Sequence, residues 1–192
     1  MRRTATSVGL VLLLVSAGLA QGWQAVPSPT DETITGICAA HPDTMFVVTS
    51  KGNFARTTDG CRSWQSFVVS DEVHLEGVSF ADSRIGVACG RNGSLFRTSD
   101  GGESWQACSP TDTVPWFSNV EMLDSRVGVV IGLSRDSASP FGGLCYRTID
   151  SGRTWKEQES LGLGYAELLY LPNGPLYLLS FGRLHRSDDK GK

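Results

Sequence analysis

Apolar and polar residues alternate over short stretches of the chain, and no helical period follows the first 20 residues. In the clearest stretch, Val78 and Phe80 stand two residues apart, as in a strand with one buried face. Asn92-Gly93 favours a tight hairpin turn, because both residues accept a positive φ. This stretch therefore predicts four antiparallel strands, at 75–81, 85–89, 95–98 and 105–108.

The same four-stranded pattern recurs along the chain. Trp23, Trp64 and Trp105 are 41 residues apart, and Trp155 follows 50 residues later. A period of this length with four strands per repeat predicts an all-β fold, a β-propeller of four-stranded antiparallel blades. The predicted blades are about 34–74, 75–116, 117–164 and a truncated 165–192.

One further strand stands outside this count. Residues 23–26 match the fourth strand of the later repeats, but no first strand precedes them. A strand in this position is suited to completing the last blade of a closed ring, so that no sheet edge stays open. We therefore expect the chain to form the N-terminal part of a larger ring.

Trp64, Trp105 and Trp155 each close the phrase Ser/Thr-x-Asp-x-Gly-x-Ser/Thr-Trp, the Asp-box or bacterial neuraminidase repeat. A fourth copy begins at Ser187, and the first copy has Cys61 in place of glycine, which predicts a strained or differently shaped turn. We expect the aspartate to accept backbone N–H groups of its turn and the tryptophan to pack back onto the hairpin. Structural roles are therefore predicted for Asp59, Trp64, Asp100, Gly102, Trp105, Asp150, Gly152, Trp155 and Asp189.

The first 20 residues have the features of an export signal, with Arg2, Arg3, an apolar stretch at 8–15 and small residues before a cleavage site near Ala20. This predicts a secreted, periplasmic or lumenal protein without stable membrane insertion. The net charge of −3 disfavours a nucleic-acid partner. The five cysteines stand mostly at apolar repeat positions, which favours buried thiols, and no spacing indicates a metal or cofactor site.

Binding residues are expected on the face opposite the Asp-boxes, because that face carries the variable loops. The third repeat has nine additional residues there, between Ile131-Gly132 and Gly142-Gly143, although a loop without function fits the pattern equally well. The candidate partner-binding residues of this face are Arg135, Asp136, Phe141, Arg91 and Trp116.

An arginine precedes each Asp-box at the same position in four repeats. In a ring these residues would form an arc that could hold carboxylates of a protein partner. Alternatively, each arginine packs its stem over the neighbouring blade and pairs with a local acid. The four residues are Arg56, Arg97, Arg147 and Arg186.

The repeated phrase, seen at 78–82 and 86–105 and in part at 124–132, resembles the photosystem II stability/assembly factor family. The resemblance covers roughly residues 23–192. It implies a seven-bladed ring that binds other proteins during assembly and performs no chemistry. In photosynthetic members the partner is a photosystem II precursor, and in this chain the partner's identity stays open.

Asp-boxes also occur in glycosidases, so hydrolysis is the competing function. A glycosidase needs two carboxyl groups about 5 to 9.5 Å apart. The acids outside the turns are isolated in the sequence, as Glu76, Glu121 and Glu167 are. We therefore predict a non-catalytic scaffold, and keep as the alternative a carbohydrate-active propeller, either a sialidase-like hydrolase or a glycan-binding module.

Overall fold

The computed structural model of the chain describes residues 22, 25–71, 73–110, 114, 116–133, 143–158, 166–180 and 183–192. The regular structure within these ranges consists of strands. They are β1 (Ile34–His41), β2 (Thr44–Thr49), β3 (Asn53–Thr57), β4 (Gln65–Val68), β5 (Leu75–Phe80), β6 (Gly86–Gly90), β7 (Leu95–Thr98), β8 (Gln106–Ala107), β9 (Trp116–Met122), β10 (Gly128–Leu133), β11 (Gly143–Thr148), β12 (Lys156–Glu157), β13 (Ala166–Tyr170), β14 (Leu176–Ser180) and β15 (Arg183–Ser187).

The strands form four antiparallel sheets, each ordered as in the chain. The first sheet is β1-β2-β3-β4, the second β5-β6-β7-β8, the third β9-β10-β11-β12 and the fourth β13-β14-β15. The first strands lie side by side, since β1 contacts β5, β5 contacts β9 and β9 contacts β13. Successive meanders joined through their first strands are propeller blades, so the predicted fold class is confirmed.

Buried side chains fill three seams between successive sheets. In seam 1–2 the Phe46 and Phe80 rings stack with centroids 3.7 Å apart, and Trp105 meets Phe54 edge-on at 5.2 Å. Such aromatic pairs add to the stabilisation from apolar burial. Seam 2–3 contains Val87, Leu95, Phe117, Val120 and Trp155, and seam 3–4 contains Val129, Ile131, Cys145, Leu168 and Leu178.

Each Asp-box turn satisfies its own polar groups. In the first box, Asp59 Oδ1 accepts the backbone N–H groups of Arg62 and Ser63 at 3.0 and 2.9 Å, and Oδ2 accepts the Ser63 hydroxyl at 2.6 Å. The Thr57 hydroxyl donates to Asp59 at 2.8 Å and accepts the N–H of Cys61 at 3.1 Å. Asp100 and Asp150 make the corresponding bonds in the second and third boxes.

Two consecutive residues of every box adopt a positive φ. In the second box these are Gly101 and Gly102, at 78° and 88°, and in the first they are Gly60 and Cys61, at 69° and 66°. Cys61 thus follows the same path as the glycine it replaces, so the turn is not differently shaped. The left-handed conformation of a residue with a Cβ costs about 1 to 2 kcal/mol.

The tryptophans of the boxes connect sheets as well as turns. Trp105 donates its indole N–H to the Gly102 carbonyl of its own turn at 3.1 Å, as expected from the hairpin. Its ring, however, lies against Phe54 of the preceding sheet, and Trp155 likewise packs into seam 2–3. Trp64 is half-buried and donates to the Pro27 carbonyl at 3.0 Å.

The expected closing strand at 23–26 stays a prediction. Ala25 and Val26 are in no strand, and Trp23 and Gln24 lie outside the described residues. The export signal at 1–20 lies outside them too. No helix in the described part of the chain is long and apolar enough to cross a membrane.

Replacing Trp105 by alanine should lower the free energy of unfolding by about 3 to 5 kcal/mol, because it empties a space between two sheets. Trp64→Ala is the matched control, because Trp64 has the same place in its repeat. Among the described residues no sheet precedes the first one, so the Trp64 ring has no preceding sheet to pack against. Urea denaturation should show a clearly smaller loss for Trp64→Ala. Equal losses would mean that the indole acts within its own turn.

Lowering the pH should remove the stabilisation that the Asp-box carboxylates give to their turns, and it should do so in a defined pH range. Hydrogen bonds from Ser63 and Thr57 lower the pKa of Asp59 to about 2. Slight desolvation disfavours the Asp100 carboxylate, but bonds from Ser104 and Thr98 outweigh it and hold its pKa at about 2. Because both values lie below the unfolded pKa of about 3.9, this stabilisation is complete above that pH and is lost as the pH falls through about 2.

The measurement is the free energy of unfolding between pH 6 and pH 2 for wild type and the double variant Asp59→Asn, Asp100→Asn. The variant should be the less stable protein at pH 6, and the difference should shrink towards pH 2. A difference that stays constant over this range would show that the two carboxylates do not stabilise the fold through their charge.

Candidate functional site

The turns divide between two faces of the propeller. The Asp-box turns bond to the turn between the first two strands of their own sheet, through Gly60 N to Asp43 O, Gly101 N to Arg84 O and Ser151 N to Arg126 O. These turns form the box face. The hairpins between second and third strands and the loops between sheets lie at the other strand ends, on what we call the loop face.

A cluster of four side chains lies on the loop face where the second sheet meets the third. Arg91 Nε donates to Glu76 Oε1 at 3.1 Å, and His74 Nε2 lies 3.4 Å from the same oxygen. The Arg91 guanidinium lies 6.0 Å from the centre of the Trp116 ring, and a β-bridge joins the two residues. We call His74, Glu76, Arg91 and Trp116 the Arg91 cluster.

Local backbone geometry positions this cluster. Pairing of β5 with β6 passes from Leu75–Gly90 directly to Gly77–Cys89, so Glu76 occupies a β-bulge. A bulge redirects the side chain of the additional residue, which here lies beside Arg91. The Arg91 side chain stays 57% exposed while the Glu76 side chain is 16% exposed. The arrangement presents an oriented cation beside an aromatic ring, which suits a carboxylate or a peptide segment.

The structure describes part of the predicted loop face, and the binding role of that face stays a prediction. Arg91 and Trp116 are brought together, as the shared face required. Arg135, Asp136 and Phe141 lie outside the described residues, although Leu133 and Gly143 pair with each other at the edges of that segment, and Leu133 also pairs with Trp116. The role of Glu76 was missed, because nothing in the alternation of β5 marks the bulge.

The repeated arginines bind the neighbouring sheet. The guanidinium groups of Arg56, Arg97 and Arg147 donate to backbone carbonyls of the next Asp-box. The acceptors are the fourth box residues, Gly101 at 3.0 Å, Ser151 at 3.2 Å and Lys190 at 2.8 Å.

The contact with the neighbouring sheet agrees with the second interpretation of the arginines, but the shared acceptor is a backbone carbonyl and not a local acid. Arg97 is only 8% exposed, so its guanidinium belongs to seam 2–3. Arg186 differs, because it bonds to Asp188 of its own box at 2.7 Å and its side chain is 58% exposed.

The first strands carry a second series of contacts between sheets. Cys38 Sγ accepts the Phe80 N–H at 3.3 Å, and Ser79 Oγ accepts the Met122 N–H at 2.9 Å. Glu121 has the equivalent place in the third sheet, and burial raises the pKa of its carboxyl to about 7. Among the described Asp and Glu side chains, Glu121 is thus the one whose pKa is raised, a property that general acids share.

The thiols lack the features of a nucleophile or metal site. All five cysteines are free, and three of them (Cys61, Cys89 and Cys145) are buried. Burial raises the pKa of Cys108 and of Cys145 to about 11, so both are protonated near neutral pH. Within the described ranges, no group of three or more His, Cys, Asp or Glu side chains could hold a metal ion.

Known proteins share this architecture. A structure of YCF48 bound to D1 peptide has 21% sequence identity and a TM-score of 0.63, covering 87% of this chain and 58% of that one. YCF48 from Cyanidioschyzon merolae has 17% identity and a TM-score of 0.61, covering 85% and 59%. An ancestral GH74 enzyme has 19% identity and a TM-score of 0.59, covering 84% and 26%.

These structural likenesses, all at low identity, show the fold. The chain spans less than two thirds of the length of either YCF48 structure. No curated protein sequence matches the chain. The family model described as photosynthesis system II assembly factor YCF48 matches residues 15–166, which is most of the sequence. The chain therefore belongs to the photosynthesis system II assembly factor YCF48 family.

Proposed function

We propose that this chain is a non-catalytic scaffold of an assembly factor, which acts after export by binding a protein partner through its loop face. The exposed guanidinium of Arg91 beside Trp116 is the observation that supports this face. Arginine and aromatic residues are enriched where proteins bind one another. The partner class is supported by the family and by the YCF48 structure that contains a D1 peptide.

The box face is the weaker candidate, because its polar groups have internal partners. The carboxylates of Asp59, Asp100 and Asp150 each accept several hydrogen bonds within their turns. If a partner bound these carboxylates, the hydrogen bonds that shape each turn would have to break. At the Arg91 cluster only one guanidinium nitrogen, Nε, is held by Glu76, and an arginine offers five N–H donors.

The test is calorimetric titration of the full chain with a D1 peptide of the kind bound in the YCF48 structure. Arg91→Gln should weaken binding by about tenfold or more, because a hydrogen bond to a charged group contributes about 1.5 to 3 kcal/mol. Arg84→Gln is the matched control, since it removes the same charge from an exposed arginine on the box face. Its affinity should equal that of wild type.

Weaker binding by Arg84→Gln with normal binding by Arg91→Gln would move the site to the box face. Absence of binding by wild type at millimolar peptide would overturn D1 as the partner. Melting temperatures of both variants should stay within about 2 °C of wild type, which separates a binding defect from a folding defect.

A glycoside hydrolase is the second candidate, and Glu121 is the observation that favours it. A partly buried carboxyl with a pKa of about 7 suits a general acid, and a GH74 enzyme shares the fold. We expect no release of aryl alcohol from a panel of chromogenic aryl glycosides, by wild type or by Glu121→Gln. Hydrolysis by wild type that Glu121→Gln abolishes would overturn the non-catalytic proposal.

A further inference from the structure

The loop face contains a reactive dipeptide that the proposed function does not use. Asn92 and Gly93 are the two central residues of the turn between β6 and β7, directly after Arg91 of the Arg91 cluster. We propose that Asn92 is a modification site, where the side-chain amide is lost spontaneously and a carboxylate forms beside Arg91. The modification is independent of partner binding, whereas its effect on binding rests on the proposed function.

The reaction needs only the protein and water. The backbone nitrogen of Gly93 attacks Cγ of Asn92, and the new C–N bond closes a cyclic succinimide. The bond from Cγ to the amide nitrogen breaks, and that nitrogen leaves as ammonia with the proton from the Gly93 nitrogen. Water then adds to either ring carbonyl and opens the ring, which leaves residue 92 as aspartate or isoaspartate. Glycine favours the attack because it has no Cβ beside its nitrogen.

The turn leaves both reacting groups without a partner. Asn92 and Gly93 have φ angles of 56° and 66°, and the Ser94 N–H closes the turn by donating to the Arg91 carbonyl at 3.1 Å. Among the described residues, no hydrogen bond holds the Gly93 N–H or the Asn92 side-chain amide. Gly93 is buried, but Asn92 is exposed, so water can reach the succinimide once it has formed.

The same dipeptide at 173–174 provides an internal comparison. Asn173 is exposed and has a positive φ of 60°, as Asn92 has a positive φ of 56°. The Gly174 N–H, however, donates to the Leu171 carbonyl at 2.7 Å and closes that turn. Attack by the Gly174 nitrogen would break this hydrogen bond, so the reaction should be slower at Asn173. The other asparagines of the chain precede phenylalanine and valine, whose side chains hinder the attack.

The hairpin can accommodate the product. Asp-Gly favours the same type of turn as Asn-Gly. The Ser109 hydroxyl donates to the Gly93 carbonyl at 2.7 Å and accepts the Leu95 N–H at 3.0 Å, so the end of the turn stays fixed. A carboxylate at residue 92 would compete with a partner's carboxylate for the Arg91 guanidinium. Modification would therefore lower the affinity of the loop face as the protein ages.

The first experiment measures the modification without a partner. The full chain is incubated at pH 8 and 37 °C, and peptide mass mapping follows the conversion of amide to acid at each asparagine. Conversion at Asn92 should be about fivefold faster than at Asn173, which corresponds to one hydrogen bond of about 1 kcal/mol. Equal rates at the two sites would overturn the proposal. It would also be overturned if Asn92 stayed intact while a synthetic peptide of residues 88–96 reacted, because the folded hairpin would then protect the site.

The second experiment measures the consequence by titration with the D1 peptide. Asn92→Asp has the charge of the product, and Asn92→Gly is the matched control, because Gly-Gly supports the same turn without a side chain. Asn92→Asp should bind about threefold more weakly than wild type, the size expected of an exposed ion pair, and Asn92→Gly should bind like wild type. Equal affinities of the two variants would overturn the effect on the Arg91 cluster. If wild type bound no peptide, the proposed function would fail, while the rates at Asn92 and Asn173 would still decide the modification.

Discussion

The hydrogen bond from a guanidinium to the fourth residue of the next Asp-box is the polar contact that joins each described pair of successive sheets. It recurs at all three seams, with a backbone carbonyl as the acceptor each time. A backbone acceptor does not depend on the side chain at that position, which is glycine, serine or lysine in turn. The contact therefore survives sequence variation that would break a side-chain pair.

That carbonyl points across the seam because two consecutive box residues have a positive φ. The threonine hydroxyl and the aspartate carboxylate hold the turn in this shape through bonds to backbone N–H groups. Cys61 shows how strong this control is, since it accepts the left-handed conformation in place of glycine and keeps its N–H on Thr57. The box is thus a local motif whose effect is to connect neighbouring sheets.

Because the Asp-box turns already hold neighbouring sheets together, we propose the loop face as the surface that recognises a partner. Three of the four repeated arginines donate across the seams, so they are poor candidates for releasing their bonds to a partner. Arg91 is held differently, by Glu76 through one nitrogen and by the ring of Trp116 at the side. It is oriented while more than half of its side chain stays exposed, a combination that lowers the entropy cost of binding.

Much of the fold could be predicted from the sequence, because the alternation of apolar and polar residues and the turn residues determine structure within a single hairpin. The strands of the second sheet lie within one or two residues of their predicted bounds. The period also placed the Asp-boxes on one face. The period did not show which neighbouring group a side chain reaches. Two interpretations therefore stayed open for Arg56 and its equivalents, namely binding to a partner protein and contact with the neighbouring sheet. The bulge at Glu76 was hidden for a related reason, since one additional residue leaves apolar spacing intact on either side of it.

The three seams are packed by different types of side chain. Seam 1–2 is aromatic, with Phe46, Phe54, Phe80 and Trp105 in mutual contact. Seam 3–4 is aliphatic, and Lys190 adds an ion pair across it, with Nζ 2.6 Å from Asp124 Oδ2. That pair is partly exposed, and exposed pairs contribute at most about 1 kcal/mol, so it does not replace a buried ring.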